Sequence, residues 1–138
     1  MKKIPSIIIV VWGIAVLCTL FLSSCKRPEV LDNSTLVNSA RNVALTFGPA
    51  YVPFFKEANV SDVQVFKKED YGDSRPQIRK QIGRKFYTVT FTYDSTAVKF
   101  DFGFAARVRI WKDTGEPLDV IFGNGWGRNF FFLSFKEQ

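Results

Sequence analysis

The densest pattern in the chain is an alternation. Val98, Phe100, Phe102, Phe104, Ala106, Val108 and Ile110 fill every even position, against Lys99, Asp101, Gly103, Ala105, Arg107, Arg109 and Trp111 at the odd ones. Successive side chains of a strand point to opposite faces, so this spacing predicts a strand with one apolar side; a helix would scatter the same residues around its axis. Strands usually run about 3–10 residues, so one of this length should bend, with Gly103 the natural site of a bulge or sharp curve. Tyr87, Val89, Phe91 and Tyr93 alternate with Thr88, Thr90 and Thr92, which predicts a strand just upstream. Asp94-Ser95-Thr96 turns the chain between the two.

Shorter alternations flank these. Val63, Val65 and Lys67 alternate with Gln64, Phe66 and Lys68 as a first strand. Asp113-Thr114-Gly115 predicts a tight reversal, and Leu118, Val120 and Phe122 the strand that follows it. Gly123-Asn124-Gly125-Trp126-Gly127 is a second turn, and Phe130 to Phe135 closes the chain as a strand apolar on both faces. Near the start the period changes: Leu36, Val37, Ala40, Val43, Ala44 and Phe47 recur at helical spacing. Asn33 or Ser34 would cap that helix and Gly48-Pro49 would stop it. A strand over Asn42–Phe47 is the competing reading. Ala50 to Asn59 reads as a short helical turn or an aromatic loop, and Asp70 to Pro76 as a turn-rich break. The basic stretch Arg75, Arg79, Lys80, Arg84 and Lys85 reads as a solvated loop, with contact to anionic lipid or lipopolysaccharide as the competing reading.

The expectation is an α+β fold, an N-terminal amphipathic helix packed on a curved antiparallel β-meander of about five strands. The alternative is an all-β sandwich.

Composition narrows the chemistry. The chain has fifteen phenylalanines, two cysteines and no histidine. Without histidine there is no Ser–His or Cys–His nucleophile pair, and the commonest metal ligand is missing. No cofactor and no metal are expected. A carboxylate-based hydrolase remains as an alternative, drawing on Asp94, Asp101, Asp113, Glu116 and Asp119. Most of these read as turn residues; Asp101 reads as mid-strand and ion-paired with Lys99 or Arg107. The Gly123–Gly127 turn is followed by phenylalanines, whereas a phosphate-cradling glycine loop opens a helix. The expectation is therefore a non-catalytic domain.

Trp126 is the leading candidate for contact with a ligand or partner, because it lies in a turn between glycines where nothing forces it inside. Arg128 and Asn124 would add polar contacts, and Trp111 and Tyr71 are the further aromatic candidates. Such a turn tryptophan can stack on a sugar or anchor a protein partner. The competing reading has Trp126 fold back and plug the end of the core.

The first quarter of the chain carries an address. Met1-Lys2-Lys3 is a short basic start, and Ile4 to Leu22 is almost wholly apolar, as in a secretory signal peptide. It ends in Leu22-Ser23-Ser24-Cys25, before Lys26-Arg27-Pro28-Glu29. These four residues resemble the lipobox of bacterial lipoproteins: an aliphatic residue, two small ones, and the cysteine that receives lipid. The resemblance implies cleavage before an acylated Cys25, so that residues 1–24 are the signal, 25–33 a lipidated tether and 34–138 one small β-rich domain. It implies membrane lipid as a partner through Cys25, and an envelope protein or glycan as the further partner. Aspartate after the cysteine is the family's inner-membrane retention signal; Lys26 stands there, which implies the outer membrane, facing the periplasm. An uncleaved signal anchor is the alternative, since the apolar run reaches the length of a spanning helix.

Loss of the signal removes Lys2 and Lys3, taking the net charge from +6 to +4. That surplus keeps a domain soluble, and export argues against nucleic acid as a partner. Cys18 leaves with the signal, so no internal disulfide is possible. Asp94-Ser95-Thr96 also resembles a short O-glycosylation signal of some bacterial envelope proteins.

Overall fold

The computed structural model describes residues 31–70 and 75–131. Cys25, Tyr71, the signal-like start, most of the 25–33 tether and the greater part of the expected 130–135 strand lie outside them.

Helix α1 spans Asn33–Phe47 and is followed by a 3₁₀ segment at Pro49–Phe54. Strands β1 (Ala58–Val60) and β2 (Gln64–Val65) precede a 3₁₀ turn at Lys68–Asp70 and the short helix α2 (Pro76–Arg79). Four further strands follow: β3 (Lys85–Phe91), β4 (Ala106–Trp111), β5 (Pro117–Phe122) and β6 (Gly127–Asn129). All six strands form one antiparallel sheet. Its order is β1-β3-β4-β5-β6, with β2 pairing the other end of β3's outer edge. The fold is mixed α+β, with six described strands where about five were expected, and Asn42–Phe47 is helical.

The start of α1 is set by Asp32, not by Asn33 or Ser34. Its Oδ1 accepts from the Thr35 backbone N–H at 2.7 Å, which satisfies one of the free donors at a helix start. At the other end Gly48 donates to the Ala44 carbonyl at 2.8 Å. Glycine is needed there for space: a Cβ would lie 2.3 Å from Phe122 Cζ. Leu36, Ala40 and Ala44 recur every four residues and so form one stripe. They are buried in one cluster with Val89 and Phe91 of β3, Ala106, Val108 and Ile110 of β4, and Val120 and Phe122 of β5.

The other face carries a second, smaller core of Phe66, Ile78, Phe86, Trp111, Leu118 and Phe131. An irregularity in β5 builds it. Arg109 faces Asp119 but Ile110 faces Pro117, so Leu118 is an extra residue in the ladder. The bulge breaks the alternation, and Leu118 joins Phe86 and Trp111 instead of Val120. The basic stretch is consequently not a plain solvated loop. It holds α2, whose Ile78 is buried, and Arg84, which forms two hydrogen bonds to Asp113 at 3.0 and 2.7 Å.

The long strand over 98–110 is half right. Only Ala106–Trp111 is strand, and residues 98–105 fold across the end of the sheet. Their partner runs out, because β3 ends at Phe91, opposite Ala106. Phe100 instead packs against Tyr51, Phe54 and Tyr93, with ring centroids 5.5, 5.8 and 4.8 Å away. Strand β6 begins at Gly127, ahead of the expected 130–135 strand, of which Phe130 and Phe131 are described and lie beyond β6.

Candidate binding surface

The turn after β5 places Trp126. Gly125 takes a positive φ of 84°, and the Trp126 backbone N–H donates to Asn124 Oδ1 at 3.1 Å. Asn124 thus shapes the turn. The Trp126 ring stacks on Phe122, centroids 5.4 Å apart and planes 24° off parallel, yet it remains 49% exposed. One face of the ring is backed by the core and the rest meets solvent. Arg128 lies over the Phe47 ring at 4.9 Å, so its guanidinium is held against α1.

Phe102 belongs to the same end of the sheet. Its backbone N–H donates to the Gly123 carbonyl at 2.9 Å, and its ring lies over Gly125, where a Cβ would approach it to 3.3 Å. It stacks on Phe104 at 5.5 Å and 13°, and is 45% exposed. Phe54, 40% exposed, meets Phe100 edge-on. Large apolar groups grouped in the open often mark an interaction surface. Leu31, the first described residue, lies instead beside Gly115, whose Cβ would come 3.5 Å from its Cδ2. Gly115 and Gly125 sit in the turns at opposite ends of β5. Six residues of strand put about 20 Å between them.

A second feature lies on the sheet face away from α1. Part of that face is covered by the smaller core; beside it an open groove of about 770 Å³ runs over Gln64, Thr88, Thr90, Arg107, Arg109 and Ile121. Arg109 is bound to Asp119 by Nε and Nη2. Thr88 donates to Gln64 Oε1 at 2.8 Å. Arg107 is exposed, lies over the Phe104 ring at 4.3 Å, and has no carboxylate within ion-pairing distance among the described residues.

No family model, curated protein or solved structure matches this chain.

The carboxylates are dispersed rather than paired. Asp94 bonds Lys56 at 3.1 Å, Asp113 bonds Arg84, and Asp119 bonds Arg109. Asp101 is exposed in the irregular segment and forms no ion pair among the described residues, contrary to expectation. Asp119 reverses its reading too: it is a buried strand residue, 3% exposed. Its partner was readable in principle, since Arg109 and Asp119 stand five residues either side of Thr114 in the hairpin turn. Among the described residues, no three His, Cys, Asp or Glu side chains gather to hold a metal, and no helix is long and apolar enough to cross a membrane.

Asn124, Trp126 and Arg128 thus fall close together and all three are exposed, Asn124 shaping the turn and Arg128 lying over Phe47 while Trp126 presents a large ring to solvent. The missed members are Phe102 and the groove residues Thr90 and Arg107. Thr90 and Arg107 face each other in the ladder of β3 and β4, whereas Phe102 reaches this end only because residues 98–105 leave the strand.

Proposed function

We propose that this chain is a lipid-anchored bacterial envelope protein, tethered through acylated Cys25, whose single domain is a non-catalytic binding module. Helix α1 covers one face of a curved meander, and the aromatic end bearing Trp126 and Phe102 is the binding surface. The observation that carries this reading is the placement of those rings. Each is backed on one side by an inner ring and about half exposed, and both sit at the end of β5 remote from Leu31, where the tether joins. A surface so placed points away from the membrane that holds the anchor, toward whatever lies opposite in the periplasm if the anchor is in the outer membrane.

A glycan is the ligand class that single-faced aromatic platforms favour, because a sugar ring lays its C–H face on an aromatic plane while its hydroxyls stay wet. Rigid backing lowers the entropy lost on binding. A protein partner docking on the same rings is the second reading, favoured by the added exposure of Phe54.

Two measurements test the proposal. Intact mass of the protein from native membranes should give a species starting at Cys25 with added acyl mass, absent in Cys25→Ser; an unmodified full-length mass would replace the lipid anchor by a signal anchor. Fluorescence titration against envelope glycans should shift the emission of Trp126 and not that of buried Trp111, and Trp126→Phe should abolish the response. A protein that responds to no glycan, and captures no envelope protein after crosslinking, has no binding module at this end.

A further inference from the structure

Arg107 and Arg109 stand two residues apart on β4 and face the same groove, yet their neighbours differ at one position. Across β5, Arg109 meets Asp119, whereas Arg107 meets Ile121. Across β3 the opposite residues are both threonines, Thr88 for Arg109 and Thr90 for Arg107. The sheet therefore neutralises one guanidinium and leaves the other without a counterion among the described residues. A cation lacking a partner is ordinary on a mobile surface side chain, but Arg107 is held, its guanidinium over the Phe104 ring at 4.3 Å. The neighbouring Thr90 hydroxyl has no hydrogen-bond partner among the described residues. A fixed guanidinium with free N–H groups is a preformed fork for a planar carboxylate.

Phe104 also joins this cation to the aromatic end, because Phe102 stacks on Phe104. A single ring separates Arg107 from Phe102, so one ligand can reach both. We infer that the ligand is an acidic glycan, with sugar rings against Phe102 and Trp126 and a uronic-type carboxylate on the Arg107 guanidinium beside Thr90. This rests on the aromatic end being the glycan surface and adds the charge of what it takes. Ile121 is part of the design on this view, since an acidic residue in its place would occupy the fork internally.

Calorimetry on the full chain in detergent tests it, comparing a short oligogalacturonate with a neutral cello-oligosaccharide of equal length. The acidic ligand should bind roughly tenfold or more tightly than the neutral one, the scale of a hydrogen bond to a charged group. Arg107→Gln should abolish that difference between the two ligands. Arg107→Lys, which keeps the charge without the fork, should recover part of the preference; both variants replace an exposed side chain, and circular dichroism verifies that they fold. Equal affinity for the two glycans, or a preference that survives Arg107→Gln, overturns the inference while the aromatic surface stands. Absence of binding by both glycans overturns the glycan reading of that surface as well. Inorganic phosphate bound through Arg107, with no acidic glycan bound, assigns the guanidinium to a phosphate ligand and overturns the carboxylate.

Discussion

Arg109 and Asp119 face each other in register across β4 and β5, and the contact is bidentate. Arg109 Nε donates to Oδ1 at 2.9 Å and to Oδ2 at 3.1 Å, and Nη2 also donates to Oδ2. Asp119 is almost wholly buried, and the Arg109 side chain is 18% exposed. Removing one partner leaves the other desolvated and unpaired, whereas removing both costs little if the volume is refilled. Asp119→Ala should therefore lower stability by about 3 kcal/mol in urea unfolding. Arg109→Met combined with Asp119→Leu should cost less than that single change. A loss under about 1 kcal/mol for Asp119→Ala would mean that water already reaches the pair.

Three glycines separate close packing from bending. A Cβ at Gly123 would lie 2.5 Å from the Phe104 carbonyl oxygen and 2.6 Å from Phe100 Cγ. Gly123→Ala must push backbone against backbone, and overpacking of this kind costs about 1–3 kcal/mol. At Gly48 the obstacle is the Phe122 ring, which has no free end to swing away, so Gly48→Ala should fall in the same range of about 1–3 kcal/mol. Gly103 is the opposite case: nothing lies within 4 Å of a Cβ there. Gly103→Ala should be neutral or stabilise by up to about 1 kcal/mol, by reducing the freedom of the unfolded chain. Three melting curves decide the matter, and a Gly103→Ala variant as damaged as Gly123→Ala would restore the sharp bend expected at that residue.

Those same residues explain what the sequence discloses and what it hides. Periodicity is a local property, and it gave the helix over Asn33–Phe47 and the strands through Val89, Val108 and Val120, where alternation and burial agree. It overextended the strand at Val98–Phe104, because whether an alternating segment becomes a strand depends on a partner, and β3 stops at Phe91. The second core was hidden for the same kind of reason. Leu118 sits at an even position with Val120 and Phe122, and only the bulge sends it to the other face. Trp126 could be singled out from its turn alone. Phe102, Thr90 and Arg107 become a surface only after the 98–105 segment has folded over Gly123.

Acid should weaken the fold through three held carboxylates. Asp94 lies well below the usual carboxylate range, at about 2 against an ordinary 3.8, because the Thr96 hydroxyl and backbone N–H donate to it and Lys56 stands beside it. Asp32 is lowered by the Thr35 N–H and Asp113 by Arg84. A folded-state value below the unfolded one means the contribution is complete above the ordinary value and is lost as pH falls through the depressed one. Stability should be level in this respect above about pH 5 and fall below it, the Asp94 part going between 3.8 and about 2. Asp94→Asn should lower the melting temperature at neutral pH and flatten the acid limb. Parallel acid limbs in the two proteins would remove Asp94 from the account.

Phe66 should matter more to stability than any aromatic residue of the proposed binding end. Its ring is fully buried and meets Trp111 and Phe131 edge-on, with centroids 5.7 and 5.5 Å away. Its backbone also clamps the chain that follows α2, donating to the Arg84 carbonyl at 2.8 Å and accepting from the Gly83 N–H at 2.9 Å. Phe66→Ala opens a cavity among Phe86, Trp111 and Leu118, none of which is free to collapse, because Phe86, Trp111 and Leu118 are held in or beside the ladder. The expected loss is about 3–5 kcal/mol. Near-ultraviolet dichroism should show Trp111 losing its fixed surroundings. Phe102→Ala removes a ring that is half in water and stacked on Phe104, so it should cost about 1 kcal/mol or less while abolishing glycan binding. The reverse order of the two costs would make Phe102 a core residue, and the aromatic end a plug for the sheet instead of a surface for a ligand.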